Sequence, residues 1–139
     1  LGRLDYDTTG LLLFSTDGEL GNAVLHPSRH VDKTYHALVK GTPSEKALDR
    51  LRHGVELEDG MTQPAAVSLI RRKGGNAFVE ITIHEGRKRQ VKRMLEAVGH
   101  PVLRLHRESF GPLELGSLPE GKYRVLSSQE VAALERAAR

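Results

Sequence analysis

The 139 residues suit one compact domain, because a chain of this length buries enough surface to fold without disulfides or metals. Hydrophobic residues make up 38% and charged residues 28%, no apolar run reaches the ~18 residues of a membrane span, and the lack of cysteine excludes disulfides, thiolate metal sites and thiol nucleophiles. The net charge of +3 is a modest bias toward a polyanionic partner, but its distribution is uneven: Arg87, Lys88, Arg89, Lys92, Arg93, Arg104 and Arg107 meet only Glu85 and Glu96 between His84 and Arg107.

In chain order, Leu11 to Phe14 form a continuous apolar run between Gly10 and Asp17, which predicts a buried central strand. Asp17 can cap a short helix over residues 18–25, ended by Pro27. The β-formers Thr34, Tyr35 and Val39 predict a strand from Val31 to Val39, closed by Gly41. Ser44 then starts a helix with Ala47, Leu48 and Leu51 on one face. A short strand over residues 55–60 runs into a turn, and Ala65 to Arg71 reads as a further strand.

Gly74-Gly75-Asn76 signals a turn, after which Phe78 to His84 alternates cleanly, with Val79, Ile81 and Ile83 on one side; the two strands flanking the turn should pair antiparallel. Val91, Met94, Leu95 and Val98 recur at spacings of three and four, predicting an amphipathic helix from Gln90 to Val98 ended by Gly99, with Arg89, Lys92, Arg93 and Glu96 opposite. A strand over Val102 to Leu105 and a helix over Ser128 to Arg136, with Val131 and Leu134 inward, complete the chain. Hairpins mixed with helices, without strict alternation, indicate an α+β domain with a mixed, mostly antiparallel sheet.

Two segments carry chemistry. In Gly2-Arg3-Leu4-Asp5-Tyr6-Asp7-Thr8-Thr9-Gly10, Asp5 has two readings: a rigid carboxylate acting as nucleophile or base, or a turn cap bonding backbone N–H groups as Asp7 also could. In Glu85-Gly86-Arg87-Lys88-Arg89-Gln90-Val91-Lys92-Arg93-Met94, the helix start with Arg87 and Arg89 suits an anion. Lys92, about one turn on, can pair with a carboxylate and keep it ionised. A metal-dependent phosphodiesterase built on Asp5, Asp7 and Asp17 is weakly supported, since His26, His30 and His36 lack ligand spacing.

Read together and in order, four marks resemble the pseudouridine synthases of the RsuA/RluB branch, which modify single uridines in bacterial ribosomal RNA. They are Arg3-Leu4-Asp5 with Asp7-Thr8-Thr9-Gly10-Leu11-Leu12-Leu13 and Thr16-Asp17-Gly18-Glu19-Leu20; His26-Pro27-Ser28 with Lys33-Thr34-Tyr35; Glu85-Gly86-Arg87 to Met94; and Gly99-His100-Pro101-Val102 with Leu105-His106-Arg107-Glu108. The resemblance implies that fold, truncated at its N-terminus: an α+β sheet domain with flanking helices and a central active-site cleft. It implies Asp5 as the attacking carboxylate, Tyr35 stacked on the uracil and Lys92 paired with Asp5, with Arg87 as the competing partner. Arg3, Arg87, Arg89 and Arg93 would hold RNA phosphates.

No cofactor or metal is implied. The expected partner is ribosomal RNA, large-subunit RNA being favoured over small-subunit RNA, and the protein is expected to be a cytoplasmic monomer with no membrane association. Residues 1–139 are expected to form the catalytic domain, with the family's small S4-type RNA-binding domain and first motif lying upstream of Leu1. A noncatalytic RNA-binding module using the basic 87–93 helix is the alternative.

Overall fold

A computed structural model of the chain describes residues 4, 5, 7–15, 18 and 31–138. Arg3, His26-Pro27-Ser28 and all but the first residue of the helix expected over 18–25 lie outside them.

The sheet is built around β2 (Lys33–Val39), which pairs antiparallel with both β6 (Asn76–Ile83) and β7 (Val102–Phe110). β5 (Ala66–Lys73) continues it beyond β6 as the expected hairpin, and β1 (Thr8–Gly10) closes the other edge by running parallel to β7. β8 (Leu113–Glu114) folds back on β7, while β3 (Glu56–Leu57) and β4 (Gly60–Met61) form a separate small hairpin. One parallel pairing in an otherwise antiparallel sheet matches the expected fold class.

Two expectations are corrected. The first strand is Thr8–Gly10 at the sheet edge, and residues 11–15, which include the Leu11 to Phe14 run expected as a central strand, are irregular. Leu13 is buried, but Leu12 and Phe14 are exposed, so the apolar run covers a second core instead of threading the sheet. The strand expected to end at Leu105 runs on to Phe110, because Leu105, Arg107 and Phe110 all bury their side chains along it.

Alternation on β6 buries Val79, Ile81 and Ile83, and on β2 Ala37 and Val39, all against one sheet face. Two helices cover that face. α1 (Glu45–His53) starts where Ser44 Oγ accepts the Ala47 N–H, and it inserts Leu48 and Leu51. α2 (Gln90–Ala97) inserts Val91, Met94 and Leu95. Truncating a fully buried side chain such as Leu51 or Met94 to alanine typically costs about 2–5 kcal/mol. α3 (Ser128–Ala137), opened by a capping box of Ser127 and Glu130, packs Leu134 with Leu13, Val31, Phe110 and Leu113 in the second cluster. Among the described residues, no helix is long and apolar enough to cross a membrane.

Candidate active site

β1 owes its position to Gly10. Its φ is +117°, and a Cβ there would lie 2.2 Å from the carbonyl oxygen of Arg107, so only glycine allows the chain to lie this close to β7. Arg107 fastens the same crossing: its carbonyl accepts the Leu11 N–H at 2.8 Å, and its Nε donates to the Leu11 carbonyl at 2.8 Å. The side chain is 1% exposed, with its guanidinium 5.2 Å from the Phe110 ring centre. Arg107 therefore leaves the surface cationic field in which its sequence position placed it. The shared parity of Leu105 and Arg107 on one strand was the available signal.

Upstream of this anchor, the Thr8 N–H donates to the Asp5 carbonyl at 2.9 Å, which brings Asp5 and Asp7 to the same end of β1. Lys92 of α2 reaches them. Its ammonium nitrogen is 3.6 Å from Asp5 Oδ2 and in direct hydrogen-bond contact with Asp7 Oδ1. Lys92 is only 9% exposed: although expected on the helix face opposite Val91, Met94 and Leu95, it counts with them among the buried residues of the helix, its charge between two carboxylates. The Lys92 hydrogen bond holds the Asp7 carboxyl below the ordinary carboxylate range, assisted by the more distant Arg89 charge. Asp7, first read as a turn cap, is thus part of the ionic cluster.

Tyr35 lies across β7 from β1: Arg107 is its register partner on one side and that of Gly10 on the other. It is half-buried against the main core, and among the described residues its hydroxyl has no hydrogen-bond partner. The neighbouring Lys33 donates to the Glu85 carbonyl at 3.1 Å, and burial, with help from Arg107, holds its pKa below the usual lysine value.

The basic segment divides. Arg87 and Arg93 are directed inward at the β3–β4 hairpin, Arg87 donating to the carbonyls of Gly60 and Met61 at 3.0 and 2.6 Å and Arg93 gripping Asp59 with two N–H groups at 2.9 and 3.2 Å. The Arg89 side chain is exposed and among the described residues makes no hydrogen bond or salt bridge, while its backbone adopts the left-handed conformation at the start of α2 (φ 53°) and its carbonyl accepts the Arg93 N–H at 3.0 Å. Of the arginines expected to meet RNA, it is the one whose guanidinium is uncommitted among the described residues; Arg3 lies outside them.

The sheet face opposite the helices carries a shallow hollow of about 440 Å³, lined by Asp7, Thr9, His36, Phe78, Arg104 and His106 among others. Thr9 bonds His106 at 2.8 Å and His36 bonds Glu80 at 2.9 Å on this face. The hollow reaches the ionic cluster through Asp7; Asp5, Tyr35 and Lys92 are not among its lining residues. Among the described residues, no group of three or more His, Asp or Glu side chains is placed to hold a metal ion.

Comparison with known proteins bears on the family and the fold. A family model described as RNA pseudouridylate synthase matches residues 1–97. The chain is 50% identical over 137 residues to an uncharacterized RNA pseudouridine synthase of Aquifex aeolicus (strain VF5), covering 99% of this chain and 55% of that protein. It is 48% identical over 136 residues to ribosomal large subunit pseudouridine synthase B of Bacillus subtilis (strain 168), covering 96% and 56%. A crystal structure of a pseudouridylate synthase superposes with a TM-score of 0.89 at 38% identity, covering 96% of this chain and 57% of that one. The chain spans about half the length of the curated relatives it matches.

Proposed function

The chain belongs to the RNA pseudouridylate synthase family, and from that premise we propose that residues 1–139 are the catalytic domain of an enzyme that converts a uridine of ribosomal RNA, in the large subunit, to pseudouridine. We place that enzyme in the cytoplasm, acting as a monomer. The observation that carries the proposal is the nearly buried Lys92 ammonium 3.6 Å from Asp5, with each residue inside a segment that resembles a family motif.

The reaction rearranges one nucleotide. The N1–C1′ bond breaks, a C5–C1′ bond forms, C5 loses its proton and N1 gains one. Composition is unchanged, so neither oxidant nor reductant enters the balance. Asp5 must be ionised to attack, and Lys92 places a positive charge beside it. Lys92, itself largely buried, supplies that charge to an Asp5 side chain about a third exposed. Tyr35 would stack on the freed base, and its hydroxyl is a candidate acceptor for the C5 proton. Arg89 would bind a phosphate of the flipped nucleotide, helping to offset the few kcal/mol that unstacking costs.

The test uses the whole protein and a ribosomal RNA fragment. Asp5→Ala should abolish pseudouridine formation while RNA affinity stays within about twofold, since one carboxylate contributes no phosphate contact. Turnover retained by Asp5→Ala would overturn the assignment of Asp5. RNA binding by the wild-type protein without any product would favour the noncatalytic module.

A further inference from the structure

We infer that Asp59, on the turn between β3 and β4, is a positioning residue for Lys92, acting through Arg93 and Arg87. The inference rests on the proposal that Lys92 serves Asp5 in the reaction.

α2 begins without the usual means of fixing a helix start. Its N-cap is Arg89 in the left-handed conformation, no side chain caps the first turn, and that turn contains no acidic residue. Orphan N–H groups and a strained entry residue favour fraying. Lys92 is the third residue of this helix, inside the turn that would fray.

A network from the hairpin closes around that turn. Asp59 takes two N–H groups of Arg93 at 2.9 and 3.2 Å and one of Arg87 at 3.4 Å. A forked guanidinium–carboxylate pair fixes orientation as well as distance. Arg93 Nε also donates to the Lys88 carbonyl at 2.9 Å, bridging the chain on both sides of Arg89. Arg87 adds the Gly60 and Met61 carbonyls and pairs with Glu85 at 3.1 Å. The second oxygen of Glu85 accepts from Gln90 Nε2 at 2.7 Å and from the Gln63 N–H at 3.0 Å. Hairpin, strand end and first helical turn form one closed ring, and Lys92 directly precedes the residue Asp59 holds.

The same contacts change the role of two arginines that resemble RNA ligands in sequence. To bind a phosphate, Arg87 and Arg93 would have to leave carboxylate and carbonyl partners they already have. Their work is to hold the hairpin on α2.

The two roles predict opposite results when Asp59 is removed. In the whole protein, Asp59→Ala should lower kcat by up to about a hundredfold, the scale of a misplaced reacting group, with RNA affinity and its salt dependence unchanged. Arg93→Lys, which keeps the charge but loses the fork, should do the same, and Asp59→Glu should restore part of the rate. Amide hydrogen exchange at Gln90 and Arg93, whose N–H groups bond the Arg87 and Arg89 carbonyls, should accelerate in Asp59→Ala while the melting temperature stays near wild type. Unchanged kcat in Asp59→Ala would overturn the inference. So would tighter RNA binding in that variant, or a salt slope reduced by ~1 in Arg93→Ala with kcat intact, since these mark an arginine used for phosphate. If wild-type protein makes no pseudouridine, the proposed function fails, and the exchange measurement still decides whether Asp59 holds the first turn.

Discussion

Lys92 stands between Asp5 and Asp7, and that sharing is open to direct measurement. The hydrogen bond from Lys92 depresses the Asp7 pKa, so Asp7 contributes stability that is complete above its ordinary value of 3.8 and is lost as pH falls through the lowered folded value. In an NMR titration, Asp7 should therefore titrate below 3.8, and Lys92→Met should raise it to the ordinary value or above, because two neighbouring carboxylates then lack their cation. An Asp7 that titrates identically in both proteins would show that the contact is not formed in solution. Asp5 and Lys92 could be singled out from the sequence because each lies in a recognisable motif. The Asp7–Lys92 contact could not, since it joins residues 85 apart in the chain, and local spacing gives Asp7 the readings of a turn cap or a weakly supported metal ligand but not of a lysine partner. Arg107 was misplaced for a related reason: a charge count registers a cation without asking which face of its strand it occupies.

At the level of elements, β1 decides where the carboxylates sit, and Gly10 decides where β1 sits. A Cβ at position 10 would strike the backbone of Arg107, and the φ of +117° is unfavourable to any L side chain. Gly10→Ala should destabilise the fold by more than about 1 kcal/mol and reduce pseudouridine formation further than the stability loss explains, since the strand that lifts away carries the Asp5–Asp7 turn. Urea denaturation beside an activity assay checks this, and an unchanged midpoint would contradict it. The paired strands β5 and β6 and helices α1 and α2 were legible because alternation and helical spacing report burial directly. The first strand was not, because an apolar run such as Leu11 to Phe14 signals a buried place without specifying whether a sheet or an irregular segment fills it. The hairpin's grip on α2 was equally hidden: Arg87 and Arg93 read as surface cations until Asp59 is brought to them by the fold.

Across the whole molecule, one sheet face is closed by α1 and α2 around the main core, while the opposite face is left with a hollow that begins at Asp7. The ionic cluster thus lies where the edge strand β1 meets the first turn of α2, held by Arg107 on one side and by the hairpin on the other. Such double fixing suits the proposed role of Asp5, a carboxylate held in one orientation toward a flipped nucleotide. The most direct test is to map pseudouridines in ribosomal RNA from cells lacking the gene, with wild-type or Asp5→Ala protein returned. A single large-subunit uridine should remain unmodified in the deletion and be restored by the wild-type protein alone. A complete set of pseudouridines in the deletion strain, or restoration by Asp5→Ala, would contradict the account.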